Sequence, residues 1–337
     1  MKGFRRLAKL VASLAVTVLG LVAVTFVIGR VIPIDPVLSV VGDRASAATY
    51  EAARQAMGLD RSLAVQFWIY LEGVVRGDFG TSVVTARPVI EDIGRYFPAT
   101  LELATIAILI GVALGVPGGV LAAVYRGRWP DQVLRLVSLF GYSTPTFWLG
   151  MVALAIFYAW LGWAVGPGRV DIFYEDLITP MTGFLVIDAL LEGEGVIAAN
   201  AVAHLVLPAA VLGLSATAYI LRMTRSFMID QLSQDYVLAA RAKGLSVRRV
   251  VWRHALGNAA VPLVTVIALT YGGLLEGSVL TETVFAWPGL GGYLTNSLLS
   301  ADLNAVLGAT IVIGVVFVGL NLVADLLYGV LDPRVAW

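Results

Sequence analysis

Cysteine is absent from the chain, which excludes disulfides, thiolate chemistry and cysteine-ligated metal. Histidine is nearly absent. His204 and His254 lie in different segments, so no metal site is expected. Lysine occurs only as Lys2, Lys9 and Lys243, none preceded by glycine, so a phosphate-cradling Gly-Lys-Ser/Thr loop is missing and the chain cannot hydrolyse ATP by that route. Charge of either sign is scarce as well. Only 14% of the 337 residues are charged and 59% are hydrophobic, against about a quarter charged in soluble domains. That balance excludes an ordinary soluble enzyme and points to a membrane protein.

What is present is long apolar runs. About 20 apolar residues at 1.5 Å per residue cross a hydrocarbon core about 30 Å thick. Six stretches qualify: Leu10 to Gly29, Leu103 to Tyr125, Leu136 to about Trp160, about Val196 to Leu221, Ala255 to Leu275, and Leu303 to Ala324. They are too continuous for barrel strands, and lipid leaves no partner for bare amides, so six helices are expected in an all-α polytopic fold of residues 1–337. The first follows Lys2, Arg5, Arg6 and Lys9 as a signal peptide would, but its run exceeds a typical apolar core and the nearest small-residue site is far away at Ala45 to Ala47. We read it as an uncleaved span. No soluble domain is expected at either end, and no internal repeat is visible.

Basic residues set the expected direction. The amino terminus, the segment after the second span (Arg126, Arg128, Arg135), the segment after the fourth (Arg222, Arg225, Arg241, Lys243, Arg248, Arg249, Arg253) and Arg334 fall on one side. Opposite lie Asp171, Glu175, Asp176, Asp188, Glu192 and Glu194 around a lone Arg169, and Glu282 and Asp302 with no base between them. Both termini are therefore expected in the cytoplasm. Residues 31–97, with Pro33 and Pro36 and the apolar-patterned "SLAVQFWIYLEGVV", read as an external segment of one or two short helices. Residues 161–195 read as an acidic external insertion without a clear period.

Between two apolar runs stands "DYVLAARAKGLSVRRVVWRHAL", residues 235–256. Asp235 to Lys243 is helix-forming, Gly244 permits the turn that ends such a helix, and Ser246 caps the next one. Small Ala239, Ala240 and Ala242 allow a close approach and Arg241 and Lys243 can reach carboxylates, which suits docking into a groove. A basic helix resting on anionic lipid accounts for the same pattern, and both readings stand on composition alone.

The "AARAKG" with "RHALGNAAVP" resembles the EAA loop of permease subunits in bacterial ATP-binding-cassette importers, specifically the B-type subunits of dipeptide and oligopeptide importers. "MGLDRSLAVQFWIYLEGVVRGDFGTS", "FPATLEL", "STPTFWLG", "ETVFAWPGLG" and "NLVADLLYGVLDPR" match that branch in order, leaving only the acidic insertion loosely covered. Leu238 stands where the family pattern begins with glutamate, and Leu256 is followed by Gly257 where the pattern has Leu-Pro. The resemblance implies a type I importer permease. A cytoplasmic coupling helix from about Tyr236 to Lys243, with Ala239, Ala240, Arg241 and the pivotal Gly244, would seat on an ATPase subunit. It also implies a homologous second permease, two cytoplasmic ATPase subunits that bind ATP and Mg, an extracytoplasmic binding protein, a peptide substrate, no cofactor in this chain and no nucleic acid. The location would be the bacterial inner membrane and the mechanism alternating access.

Pro117, Pro145, Pro208 and Pro262 fall in or beside four spans, as hinges or as ordinary membrane prolines. Gly111, Gly115 and Gly119, and Gly273 with Gly277, have the spacing for close helix contact. Polar groups inside spans are costly, which singles out Glu102, His204, Glu276, Asn321 and Asp325. Glu276, beside Gly272, Gly273 and Gly277, is the candidate to face a pore and meet a peptide amino terminus, the alternative being a satisfied structural carboxylate. His204 shows no evident partner, and Asn321 and Asp325, four apart, share a helix face. Glutathione or nickel chelates are alternative cargoes of the same machinery. An ion-coupled secondary transporter or an intramembrane enzyme would need midplane ion sites or a clustered catalytic constellation, and neither is visible.

Overall fold

Each apolar run closes its amides in i→i−4 bonds, and the helices overrun the runs because helix, once begun, adds a hydrogen bond per residue. The structure, a computed structural model, describes residues 2–31, 35–42 and 44–331. Pro33 and Arg334 lie outside the described residues, as does the side chain of Asp325. The helices are α1 (Lys2–Val31), α2 (Pro36–Val41), α3 (Ala47–Ala56), α4 (Leu63–Arg76), α5 (Val89–Val124), α6 (Trp129–Ser143), α7 (Thr146–Ala153), α8 (Leu185–Leu191), α9 (Gly195–Leu232), α10 (Asp235–Ala242), α11 (Val247–Arg249), α12 (Leu256–Val284), α13 (Leu290–Leu299) and α14 (Leu303–Leu331). Among the described residues there is no sheet, only an isolated bridge between Thr81 and Pro88.

Five spans are helices apolar enough to cross a membrane: Leu14–Val31, α5, α9, Val247–Val284 and Leu303–Ala324. The third expected span is not one helix. It is the pair α6 and α7, the latter continuing as a π-helix over Leu154–Trp160, bent by 101° at the break. The cause is local: Pro145 has no amide to donate and pushes Thr144 out of the helical region, to φ −90° and ψ 128°. Six spans result when the bent pair counts as one. The segment expected outside, residues 31–97, holds α2, α3 and α4, three short helices where one or two were expected, and α5 already begins at Val89, inside it.

The chain forms two compact units. In the first, residues 2–97 with 289–318, α1 meets α4 through Arg30 Nε to Gln66 Oε1 (2.9 Å) and Tyr70 OH to Thr25 Oγ1 (3.2 Å), with Phe26 against Phe67 and Tyr70. Its core is Val89, Ile93, Leu290, Tyr293, Ala305 and Ala309. Two buried carboxylates hold the 78–88 loop. Asp302 accepts from Ser82 Oγ (2.6 Å) and the Val83 amide (2.8 Å). Asp92 accepts from Arg87 Nε (2.9 Å), from Thr85 and from Tyr293 OH (3.3 Å). Burial and the Asp92 charge push the Tyr293 phenol well above its usual value. Asp302, expected as an external loop charge, is thus an interior hydrogen-bonding group.

In the second unit, residues 98–288 and from 319 onward, α9 is the central post. Gly111, Gly115 and Gly119 bring α5 against it so closely that an added Cβ would stand 2.7 Å from Ala216, 3.0 Å from Ile220 and 2.5 Å from Thr224. Ser138 Oγ of α6 donates to Ala218 O (2.8 Å). The acidic insertion folds on a small core of Ile178, Ala189, Ile197 and Ala198, the last two from the first turn of α9. Glu102 ties it down, accepting from Arg169 Nε (3.0 Å), Arg169 Nη2 (2.5 Å) and the Val186 amide (3.2 Å). The lone basic residue of the insertion is therefore the partner of the buried Glu102.

Candidate coupling region and translocation face

The basic stretch builds a short helix, a turn and a second helix. α10 ends in a Schellman motif: the Leu245 amide donates to Ala240 O (3.2 Å) and the Gly244 amide to Arg241 O (2.9 Å). The turn needs a left-handed residue, and Gly244 sits at φ 77°. Ser246 then caps α11, accepting from the Arg249 amide at 3.4 Å, and a π-helix over Val250–Ala255 leads into α12.

Val237 of α10 and Val250 of the π-helix are buried, and a cluster of Val120, Ala123, Met228, Val251, Ala255 and Ala259 joins the ends of α5, α9 and α12. α10 packs on the π-helix over Val250–Ala255, whose Val251 and Ala255 belong to that cluster. Tyr236 turns inward, its OH on Gln231 Oε1 at 2.9 Å, and Ala240 is half-buried, so these two anchor the helix. Leu238 (63% exposed), Ala239, Arg241 and Lys243 form the open face.

Pro117, Pro208 and Pro262 lie inside the continuous helices α5, α9 and α12, whereas Pro145 stands at the 101° break. The continuous course of α12 through Pro262 places no break where the family pattern has its Leu-Pro. Glu276 is exposed on α12 between Gly273 and Gly277, and around both glycines a Cβ would meet nothing within 4 Å. The close-contact expectation thus holds for the α5 glycines and fails within this chain for the α12 pair. Glu282, expected as a loop charge, lies inside α12, fully buried, and accepts from Thr100 Oγ1 (2.7 Å) and Ser278 Oγ (3.0 Å).

His204, which the sequence left alone, meets Asp171 Oδ1 through Nε2 at 3.2 Å, while Asn200 Nδ2 donates to Asp171 Oδ2 at 2.6 Å. Those two hydrogen bonds hold the Asp171 carboxyl below its usual range. Asn321 is half-buried, and its pairing with Asp325 involves a side chain outside the described set. Among the described residues no group of three His, Asp or Glu is placed to hold a metal.

A further ion pair, like Arg169–Glu102 and Arg87–Asp92, escaped the reading of the sequence. Asp131 accepts from Arg225 Nε (2.6 Å) and Nη2 (2.9 Å) and from the Gly127 amide (2.9 Å), fastening the α5–α6 turn to α9. The available signal was a single acid inside the basic run "RGRWPDQVLR".

Comparison with known proteins agrees with this architecture. A family profile described as "Binding-protein-dependent transport system inner membrane component" matches residues 115–337, and its N-terminal companion matches residues 3–104. The chain is 46% identical over 323 residues to the probable D,D-dipeptide transport system permease protein DdpB of Escherichia coli K12, covering 96% of this chain and 95% of that protein. It is 42% identical over 330 residues to the di/tripeptide transport system permease protein DppB of Pseudomonas aeruginosa, covering 98% of each. A chain of the MetNI methionine ABC transporter, solved in inward-facing conformations, shares the fold at TM-score 0.52 and 18% identity, covering 71% of this chain and 96% of that one. The chain belongs to the family of binding-protein-dependent transport system inner membrane components, and is a multi-pass permease subunit of the bacterial inner membrane, a transport component and not an enzyme.

Proposed function

We propose that this permease carries dipeptides or short oligopeptides inward, paired with a homologous second permease and driven by two cytoplasmic ATPase subunits that bind ATP and Mg. An extracytoplasmic binding protein delivers the substrate. The observation that carries the cargo is the 46% identity, end to end, with a D,D-dipeptide permease. The chain's own lack of a phosphate-binding loop supports the division of labour, since energy then enters from another subunit.

In this reading both termini are cytoplasmic and α10 is the coupling helix. ATP binding closes the ATPase pair and displaces α10. The packed cluster beneath it moves the ends of α5, α9 and α12 together, so the spans open outward, and hydrolysis returns them. Leu238 and Ala239 enter the ATPase groove, and Arg241 and Lys243 meet carboxylates on its rim. Pro145 is the hinge that the geometry favours, because there alone among the four prolines does a span break. Glu276 faces the pore, where its carboxylate receives the peptide ammonium.

Gly244→Pro tests the coupling. Proline fixes φ near −65° and removes the amide that Gly244 donates to Arg241, so the turn cannot form. The variant is expected in the membrane at normal level with peptide uptake abolished and ATPase subunits no longer co-purifying. Wild-type uptake should be blocked by vanadate, which traps cassette ATPases. Normal transport by Gly244→Pro would refute the assignment of α10.

A further inference from the structure

Between α6 and α9 lies a groove of about 580 Å³ whose lining includes no residue of α10 or α12. Its walls carry Arg135, Arg222 and Arg225, with Gln132 and Ser226 beside them. Asp131 engages Arg225, whereas among the described residues neither Arg135 nor Arg222 has a carboxylate within 4 Å. Arg222 is instead held against two aromatic rings, 4.4 Å from the Tyr142 centroid and 5.4 Å from that of Tyr219. One acid against three guanidinium groups leaves the groove positive and in want of an anion.

The same groove is lined by Leu136 and Leu139, which are 66% and 63% exposed. Arginine beside open leucine on a spanning element suits a ligand with a phosphate at one end and hydrocarbon at the other. The level along the helix agrees: Trp129 opens α6 one and a half turns before Arg135 and is 75% exposed, with Tyr125 exposed just before it. Such aromatics mark the headgroup zone. We propose that the α6–α9 groove is a binding site for an anionic phospholipid of the adjoining leaflet. Its phosphodiester sits on Arg135 and Arg222, and its acyl chains lie along Leu136 and Leu139. Basic pockets between spanning helices bind phosphate headgroups in this way.

The test uses the full complex as extracted, reconstituted in phosphatidylethanolamine vesicles containing phosphatidylglycerol with a photoactivatable acyl chain. The expected result is labelling of the peptide that holds Leu136 and Leu139. Arg135→Gln and Arg222→Gln should each reduce it about fivefold. Arg248→Gln, an exposed cation outside the groove, should leave it unchanged. Excess inorganic phosphate should not compete, because it lacks the chains. Arg135 is exposed and makes no ion pair within 4 Å among the described residues, so Arg135→Gln decides the matter even where Arg222→Gln disturbs folding. Labelling indifferent to Arg135→Gln, an equal loss in Arg248→Gln, full competition by phosphate, or cross-links from this face to another protein chain would each overturn the proposal.

Discussion

At the scale of single residues, three of the eight acids counted as outside charges, Asp188, Glu282 and Asp302, are buried. Asp188 is buried in the insertion and accepts from the Thr182 amide (2.8 Å), Thr182 Oγ1 (2.6 Å) and the Gly183 amide (2.9 Å). Burial pushes its carboxyl up, but those hydrogen bonds outweigh it and hold the group below its ordinary value of 3.8. A depressed carboxyl contributes stability that is present above 3.8 and is lost as pH falls through the lower folded value. The insertion should therefore resist protease at neutral pH and weaken as pH falls below 3.8. Asp188→Asn should weaken it by about 1–3 kcal/mol at pH 7 and flatten that acid dependence. Limited proteolysis between Leu161 and Gly195 across pH checks both, and an unchanged profile in Asp188→Asn would remove the residue from this role. The partners of Asp188 lie five and six residues upstream, within reach of a careful sequence reading. Those of Asp302 lie 218 to 220 positions away, where charge alone signals nothing.

At the scale of elements, length and apolarity were enough for five spans, because a helix that must satisfy its own amides has little choice of form. The third was misread as continuous because a hydropathy average runs straight across Thr144 and Pro145, while the backbone does not. Glycine spacing was ambiguous for the same kind of reason. Gly119 and Gly277 look alike in sequence, but an added methyl at Gly119 would stand 2.5 Å from Thr224 and 2.7 Å from the Leu221 carbonyl, whereas at Gly277 it would meet nothing. Gly119→Ala should therefore destabilise the chain by about 1–3 kcal/mol as α5 is levered off α9. Gly257→Ala, in α12 with open space around it, should be neutral or stabilise by up to about 1 kcal/mol. Thermal unfolding in detergent compares them, and equal melting points would show that the α5–α9 approach is looser than the geometry requires.

At the scale of the whole molecule, α12 presents Leu269, Gly273, Glu276, Gly277 and Leu280 to open space in the chain taken alone. These residues recur at helical spacing along one stripe. An ionised carboxylate on a face turned to lipid costs about 3 kcal/mol, so in the working transporter this stripe is expected to meet water or protein. On the proposed function, the glycines beside Glu276 are then expected to contact another body, the sister permease or the passing peptide. Gly277→Leu separates that reading from simple packing. The isolated chain should melt at the wild-type temperature, since beyond the local backbone of α12 no described atom of the chain lies within 4 Å of the new side chain's first carbon. Peptide uptake by the assembled importer should fall about tenfold or more, the equivalent of about 1.4 kcal/mol at that surface. A melting temperature lowered as far as that of Gly119→Ala would place the stripe inside the chain's own packing, and full uptake with unchanged stability would turn it toward lipid and leave Glu276 without a pore to face.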